Sequence, residues 1–242
     1  MLFAGWGILM GVLTGLVYGG LGVLPFLPIP RGRRERYTMV AAAAWARLVV
    51  RGVLMARVHV DGEPGLAEGE GAILVCNHRS WVDPLLLMGW VQSNGLSKRA
   101  ILFFPVIGLF GWLAGAVYFD RRDRNARARA RDEVLFLVKN GHRIQVFPEG
   151  TRSRDGQIKS KVFLTLVRDA YEAGLPVVPC AVMHTDRTLP VGTFTAHPFQ
   201  DVYLHVGPAM RPADFESDAA FAIEAWKRVK DRVRQLEADT AA

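Results

Sequence analysis

The sequence predicts an α/β fold: a single domain with a mostly parallel central sheet flanked by helices, preceded by an N-terminal two-helix membrane-attachment segment. Three observations predict it. Short apolar runs of strand length, at residues 72–76, 144–147 and 176–182, alternate with stretches of helical periodicity. Each run stops at a cluster of polar residues, as strands do where they open onto a ligand cleft. Residues 1–30 carry no charged side chain, and 1–24 are long enough to cross a hydrocarbon core as a helix. At 242 residues the chain has room for one sizeable domain and an appendage.

Half of the residues are hydrophobic and the formal net charge is +7, a balance that suits an anionic partner: a membrane surface, a phosphorylated substrate or nucleic acid. Composition does not choose among these, so the arrangement must. The two cysteines, Cys76 and Cys180, lie in apolar runs and read as buried thiols. No Cys/His spacing matches a zinc site and no disulfide framework is present, which favours a reducing compartment.

Taken in order, the uncharged amino terminus is followed at once by Arg31, Arg33, Arg34 and Arg36, so the positive-inside tendency places the chain from Arg31 onward in the cytoplasm. It lacks the basic start and small-residue cleavage site of a signal peptide, and is read as retained. Gly7, Gly11, Gly15 and Gly19 recur every four residues and form one stripe on a helix, the pattern that lets two membrane helices approach closely. Residues 37–57 read as a second, amphipathic helix, with a turn at Pro25, Pro28 and Pro30 between the two. The pair is either one span plus a surface helix or a hairpin in a single leaflet. Residues 1–57 are therefore assigned to membrane attachment and 58–242 to the globular domain.

Within that domain, residues 58–62 read as a first strand, with His59 as a strand residue, and 63–71 as a loop. Residues 72–76 form a buried strand, and Pro84 before an apolar run opens a helix. His78 and Asp83 fall in the turn between. There an aspartate can hold one ring nitrogen protonated and leave the other as a base, and Asp83 also stands where a helix N-cap is expected.

Residues 93–95 mark a turn. Residues 117–121 are strand-like and end in Asp120 and Arg121. Six arginines lie between Arg121 and Arg131; most belong to the solvated face of a helix over 125–140, with Asp123 and Arg127 as an i,i+4 pair. Arg121, at a strand end beside the cleft, does not fit that explanation. The strand at 144–147 leads into a loop, Pro148 to Gly156, that presents Glu149, Thr151 and Arg152 together. A helix over 166–173, strands over 176–182 and 201–206, and a charged carboxyl-terminal helix over 217–238 complete the domain. Phe221, Ile223, Trp226 and Val229 form the inner face of that last helix.

One base, one orienting acid and separate arginines at strand ends describe a site that deprotonates a neutral nucleophile on a phosphorylated molecule. No serine or cysteine is placed as a covalent nucleophile, and Gly-x-Ser-x-Gly is absent. At these residues the chain resembles the glycerolipid acyltransferases, in particular the 1-acylglycerol-3-phosphate (lysophosphatidate) acyltransferases. Asn77-His78-Arg79-Ser80-Trp81-Val82-Asp83 resembles their His-x4-Asp block. Residues 115–121, ending Phe-Asp-Arg, are similar to the second block, with Lys98 standing where a family lysine does. Residues 147–153, Phe-Pro-Glu-Gly-Thr-Arg-Ser, are similar to the third, and 175–179 to the fourth. The resemblance covers roughly residues 60 to 185.

It implies that His78 is the general base on the sn-2 hydroxyl of the acceptor, with Asp83 orienting it. Lys98, Arg121 and Arg152 would bind the acceptor phosphate, Glu149 and Gly150 would shape its glycerol pocket, and Thr151 would also be substrate-binding. The implied partners are the lipid bilayer, a lysophosphatidate-like acceptor and an acyl-CoA or acyl carrier protein thioester as co-substrate. No other cofactor, metal or nucleic acid is expected, and the implied place is the cytoplasmic face of a membrane, the inner one in a bacterium. Ala100, residues 158–162 and residues 184–187 depart from the family pattern and bear on the acceptor's identity. The same reaction on another lyso-lipid or on glycerol phosphate is the nearest alternative. A membrane-bound metal-dependent phosphohydrolase and a non-catalytic lipid-binding protein are the alternatives from other classes.

Overall fold

The computed structural model describes residues 31–103, 111–112, 115–120, 122–153, 155–159, 161–193 and 195–241. The expectations for residues 1–30 and for Arg121 lie outside the described residues. A seven-stranded sheet runs in the order β1-β7-β6-β2-β5-β3-β4, with β1 Arg57–Asp61, β2 Ala72–Cys76, β3 Asn94–Lys98, β4 Val117–Phe119, β5 Arg143–Val146, β6 Val177–Met183 and β7 Asp201–Val206. All neighbours pair in parallel except β6 with β7. This is the mostly parallel sheet the sequence predicts.

Burial follows from position in the sheet. Every residue of β2 and β6 is buried, because both faces of these central strands are covered, and only an unbroken apolar run satisfies that. Strand β7 alternates, with Val202, Leu204 and Val206 inward, and β1 at the edge is largely exposed. One face carries α1 (Arg31–Leu48) and α2 (Val82–Val91), with Leu74, Cys76, Leu86, Leu87 and Val182 in the core between sheet and helix. The other face carries α3 (Arg124–Lys139), α4 (Thr165–Glu172) and α6 (Asp218–Ala241), packed on Ile73, Val75, Ile144 and Val177. A short helix, α5 (Thr185–Thr188), follows β6.

Several elements differ from expectation for identifiable reasons. Strand β3 occupies residues read as a turn: Asn94-Gly95 carries a turn signal, but the segment pairs with Ile144 and Gln145 of β5, and tertiary pairing overrides propensity. Helix α2 starts at Val82, two residues before Pro84, with Trp81 as its N-cap. Pro84 is tolerated there because the first-turn N–H groups have no intrahelical partner. Asp83 is thus inside the helix and is not its N-cap. Asp123 is the N-cap of α3, accepting from Asn125 N, and its carboxylate lies 3.7 Å from Arg129. Ile223 points outward with 60% of its surface exposed, whereas Phe221, Trp226 and Val229 are buried as expected.

The second predicted helix is α1, which begins at Arg31 and gives way to a π-helical turn, Val49–Val53. Ala42, Trp45, Ala46 and Val49 pack with Met88 of α2, and Arg47 Nη1 donates to the Gly89 carbonyl at 2.6 Å. A Cβ on Gly89 would lie 3.2 Å from Arg47 Cγ and 3.4 Å from Arg47 N, closer than an ordinary contact, so glycine suits the tight approach of the two helices. Helix α1, which the sequence reading assigns to membrane attachment, packs directly on the domain through these contacts. No helix among the described residues is long and apolar enough to cross a membrane.

Candidate active site

Strands β2, β3, β4, β5 and β6 all end on the same side of the sheet, and the polar residues singled out in the sequence follow those ends. Asn77, the first residue past β2, is buried; its Nδ2 donates to the Val182 carbonyl and its Oδ1 accepts from Val182 N, both at 2.9 Å. This side chain locks the end of β2 to β6 and fixes where the following turn leaves the sheet.

In that turn His78 Nδ1 donates to Asp83 Oδ2 at 2.7 Å. The same oxygen accepts from Arg79 N at 2.6 Å and Ser80 N at 2.8 Å. Asp83 is fully buried and His78 15% exposed at the side chain. A carboxylate only accepts, so the bond fixes the histidine proton on Nδ1 and leaves Nε2 as the basic nitrogen. Phe147 stacks on the imidazole with centroids 4.1 Å apart and an interplanar angle of 20°, which holds the ring plane.

The loop after β5 grips the peptide of His78 from both sides. Glu149 Oε1 accepts from His78 N at 2.9 Å, and Ser153 N donates to the His78 carbonyl at 2.8 Å. The other Glu149 oxygen accepts from Lys159 N at 3.3 Å. Glu149 is 4% exposed. The sequence reading gives this residue to the acceptor pocket; both its oxygens face backbone N–H groups, so what the geometry shows is a cross-brace beneath the histidine. Gly150 turns this loop at φ +69°, a conformation side chains rarely adopt.

Burial raises the pKa of Glu149 above the ordinary glutamate value, against the opposing pull of the His78 and Lys159 N–H groups. An acid raised in the folded state costs stability when it ionises: its contribution is complete below the unfolded value of 4.5 and is lost as pH rises through the folded value. The stability of the wild type relative to Glu149→Gln is accordingly expected to fall as pH climbs above that point and then to level off. Urea unfolding of both proteins between about pH 4 and 8 measures this.

Arg152 lies over the Trp81 ring, its guanidinium carbon 4.5 Å from the centroid. Burial lowers its pKa and the Asp83 charge raises it. Thr151 is exposed beside it, and Lys98 is exposed at the end of β3. The structure thus brings His78, Asp83, Glu149, Gly150 and Arg152 together around one turn, with Lys98 on the same side of the sheet. Two contributors escaped the sequence reading, the Phe147 stack and the Ser153 N–H, and Asn77, visible there only as part of the His-x4-Asp block, proves to be a clamp. Their residue types were visible, but each acts across more than 65 positions in sequence or from a strand end, so no local pattern reveals them.

A cavity of about 600 Å³ opens beside this loop. Phe147 and Gly150 border it, and Leu96, Phe119, Val146 and Leu166 line it between the sheet and helices α3 and α4. No three His, Cys, Asp or Glu side chains among the described residues converge as a metal site requires.

Comparison with known proteins places these features in context. The sequence model of the family described as Acyltransferase matches residues 57–183. A chloroplastic 1-acyl-sn-glycerol-3-phosphate acyltransferase of Brassica napus is 30% identical over 173 residues, covering 70% of this chain and 49% of that protein. A 1-acyl-sn-glycerol-3-phosphate acyltransferase of Borreliella burgdorferi is 24% identical over 211 residues, covering 84% and 80%. The chain thus spans about half the length of the plant relative and most of the bacterial one. The crystal structure of the 1-acyl-sn-glycerophosphate acyltransferase PlsC from Thermotoga maritima superposes with a TM-score of 0.81 at 26% identity, over 98% of this chain and 95% of that one.

Proposed function

This chain belongs to the Acyltransferase family, and from that premise we propose that it moves a fatty acyl group from an acyl thioester to the free sn-2 hydroxyl of lysophosphatidate, making phosphatidate. The observation that carries the reading is the bond from His78 Nδ1 to the buried Asp83, set at the carboxyl ends of the parallel strands. With Nδ1 protonated, Nε2 takes the proton of the sn-2 hydroxyl as its oxygen bonds to the thioester carbonyl carbon. The carbonyl becomes a tetrahedral oxyanion. Its collapse breaks the carbon–sulfur bond, and the departing thiolate receives the proton from the imidazolium. Asp83 keeps the ring oriented and stabilises its cationic form.

Arg152, with Lys98 and Arg121, meets the acceptor phosphate, and the cavity beside Phe147 takes an acyl chain. The donor is acyl-CoA or an acyl carrier protein thioester. Lipid substrates are met at a bilayer, and the arginines that follow the uncharged amino terminus favour its cytoplasmic face. The exposed Tyr37, Val40 and Leu48 of α1 and the +7 net charge support that placement.

Two assays test the reading. A panel of acceptors with one labelled donor is expected to favour lysophosphatidate over glycerol phosphate and over lyso-lipids without a phosphomonoester. A preference for an uncharged acceptor contradicts it. In the second assay, Arg152→Ala raises KM for lysophosphatidate about 10- to 100-fold, the worth of a hydrogen bond to a charged group, while KM for the donor holds. An equal rise in both constants removes Arg152 from the phosphate site.

A further inference from the structure

One residue of the catalytic turn has a side chain the reaction does not use. Arg79 follows His78, and its backbone N–H is one of the three donors to Asp83. Its side chain is 7% exposed and ends between two acids: Nη2 donates to Glu237 Oε1 at 2.7 Å, and Nη1 lies 3.8 Å from Asp186 Oδ1. The loop that carries Arg152 closes over the pair, since a Cβ on Gly156 would lie 3.4 Å from Arg79 Nη1 and 3.6 Å from Asp186 Oδ2. Four segments meet at one guanidinium: the catalytic turn, the loop after β5, α5 and the end of α6.

Local chemistry does not account for Glu237. It stands near the carboxyl end of α6, which runs to Ala241, and the helix dipole disfavours a negative charge there. A buried guanidinium requires a counter-charge, because removing the partner leaves an uncompensated charge in the interior. The helix bearing Glu237 is itself anchored, with Val233 and Leu236 packed on Ala181 and Met183 of β6. Strand β6 is in turn clamped to the end of β2 through Asn77.

We propose that Glu237, lying outside the segment matched to the family, is a positioning residue that sets the His78 turn through Arg79. The brace ties the last helix to Arg79 of the catalytic turn across 158 positions of sequence. For its turnover readout this inference rests on the acyl-transfer reading.

The test compares full-length wild type, Glu237→Ala and Glu237→Gln, the last of which keeps an acceptor for Arg79. In Glu237→Ala, kcat per folded molecule is expected to drop about tenfold with KM held within about twofold, the scale of a displaced catalytic group. Glu237→Gln is expected to restore most of that loss. Amide exchange supplies a readout that needs no substrate: the Arg79 and Ser80 N–H groups, bonded to Asp83, exchange about tenfold faster in Glu237→Ala while those of β2 and β6 do not change. Unchanged exchange at Arg79 and Ser80 overturns the brace, as does unchanged kcat in Glu237→Ala when the wild type is active. A wild type that fails to transfer acyl groups removes the functional reading, and the exchange comparison still decides the brace.

Discussion

Replacing His78 with alanine lowers acyl transfer to lysophosphatidate by about 10²- to 10⁴-fold, the contribution of a positioned general base, while the protein stays folded. The turn does not depend on the imidazole for its shape. Its peptide is held by Glu149 and Ser153, and Asp83 keeps the N–H groups of Arg79 and Ser80. What is lost is the ring stacked on Phe147 and, with it, the base proposed for the acceptor hydroxyl. Initial rates with a labelled acyl donor, alongside near-ultraviolet circular dichroism, check both halves. A rate within about tenfold of wild type transfers the base role to another group.

Substitution of Asp83 separates orientation from architecture, because the two obvious variants fail differently. Asp83 Oδ2 takes three N–H donors, whereas Oδ1 is buried without a hydrogen-bond partner among the described residues. In Asp83→Asn the amide oxygen can stay at the Oδ2 position and the NH2 can occupy the other, so the turn survives. The charge that stabilises the imidazolium is gone, and kcat is expected to fall by up to about 10⁴-fold with little change in melting temperature. Asp83→Ala abandons two buried backbone N–H groups at about 1 to 3 kcal/mol each. It is expected to unfold at markedly lower urea. Equal stability in the two variants, or full activity in Asp83→Asn, contradicts the assigned roles.

How much of this was legible in the sequence depended on the range of the interaction that produced it. Strands β2 and β6 were readable because burial on both faces demands an unbroken apolar run, and residues 72–76 and 177–183 supply one. Strand β3 was not, because Asn94, Gly95 and Ser97 carry no strand pattern and only the pairing with β5 and β4 makes them one. The spacing of His78 and Asp83 pointed to a paired histidine and aspartate, and the fold joins them by a hydrogen bond. The same proximity to Pro84 suggested an N-cap, a local rule that gave way once Asp83 was recruited to hold the turn that precedes its helix.

The role of Glu149 reads differently in space than in sequence for the same kind of reason. A glutamate in a glycine-bearing loop signals a ligand contact, and only the folded arrangement shows its oxygens spent on the His78 and Lys159 backbone. Arg79 is the extreme case. Nothing within its own turn explains a buried guanidinium, because its partner lies at the far end of the chain.

The most direct test of the central claim is the fate of a labelled acyl chain. Purified protein in lipid vesicles is given labelled acyl-CoA or acyl carrier protein thioester with lysophosphatidate, in parallel with His78→Ala, and the product is cleaved with an sn-2-specific lipase. The expected result is phosphatidate whose label is released entirely from the sn-2 position, with free thiol formed in equal amount and both reduced by about 10²- to 10⁴-fold in His78→Ala. Label incorporated equally by His78→Ala, or inorganic phosphate released from the lipid in place of thiol, would contradict it.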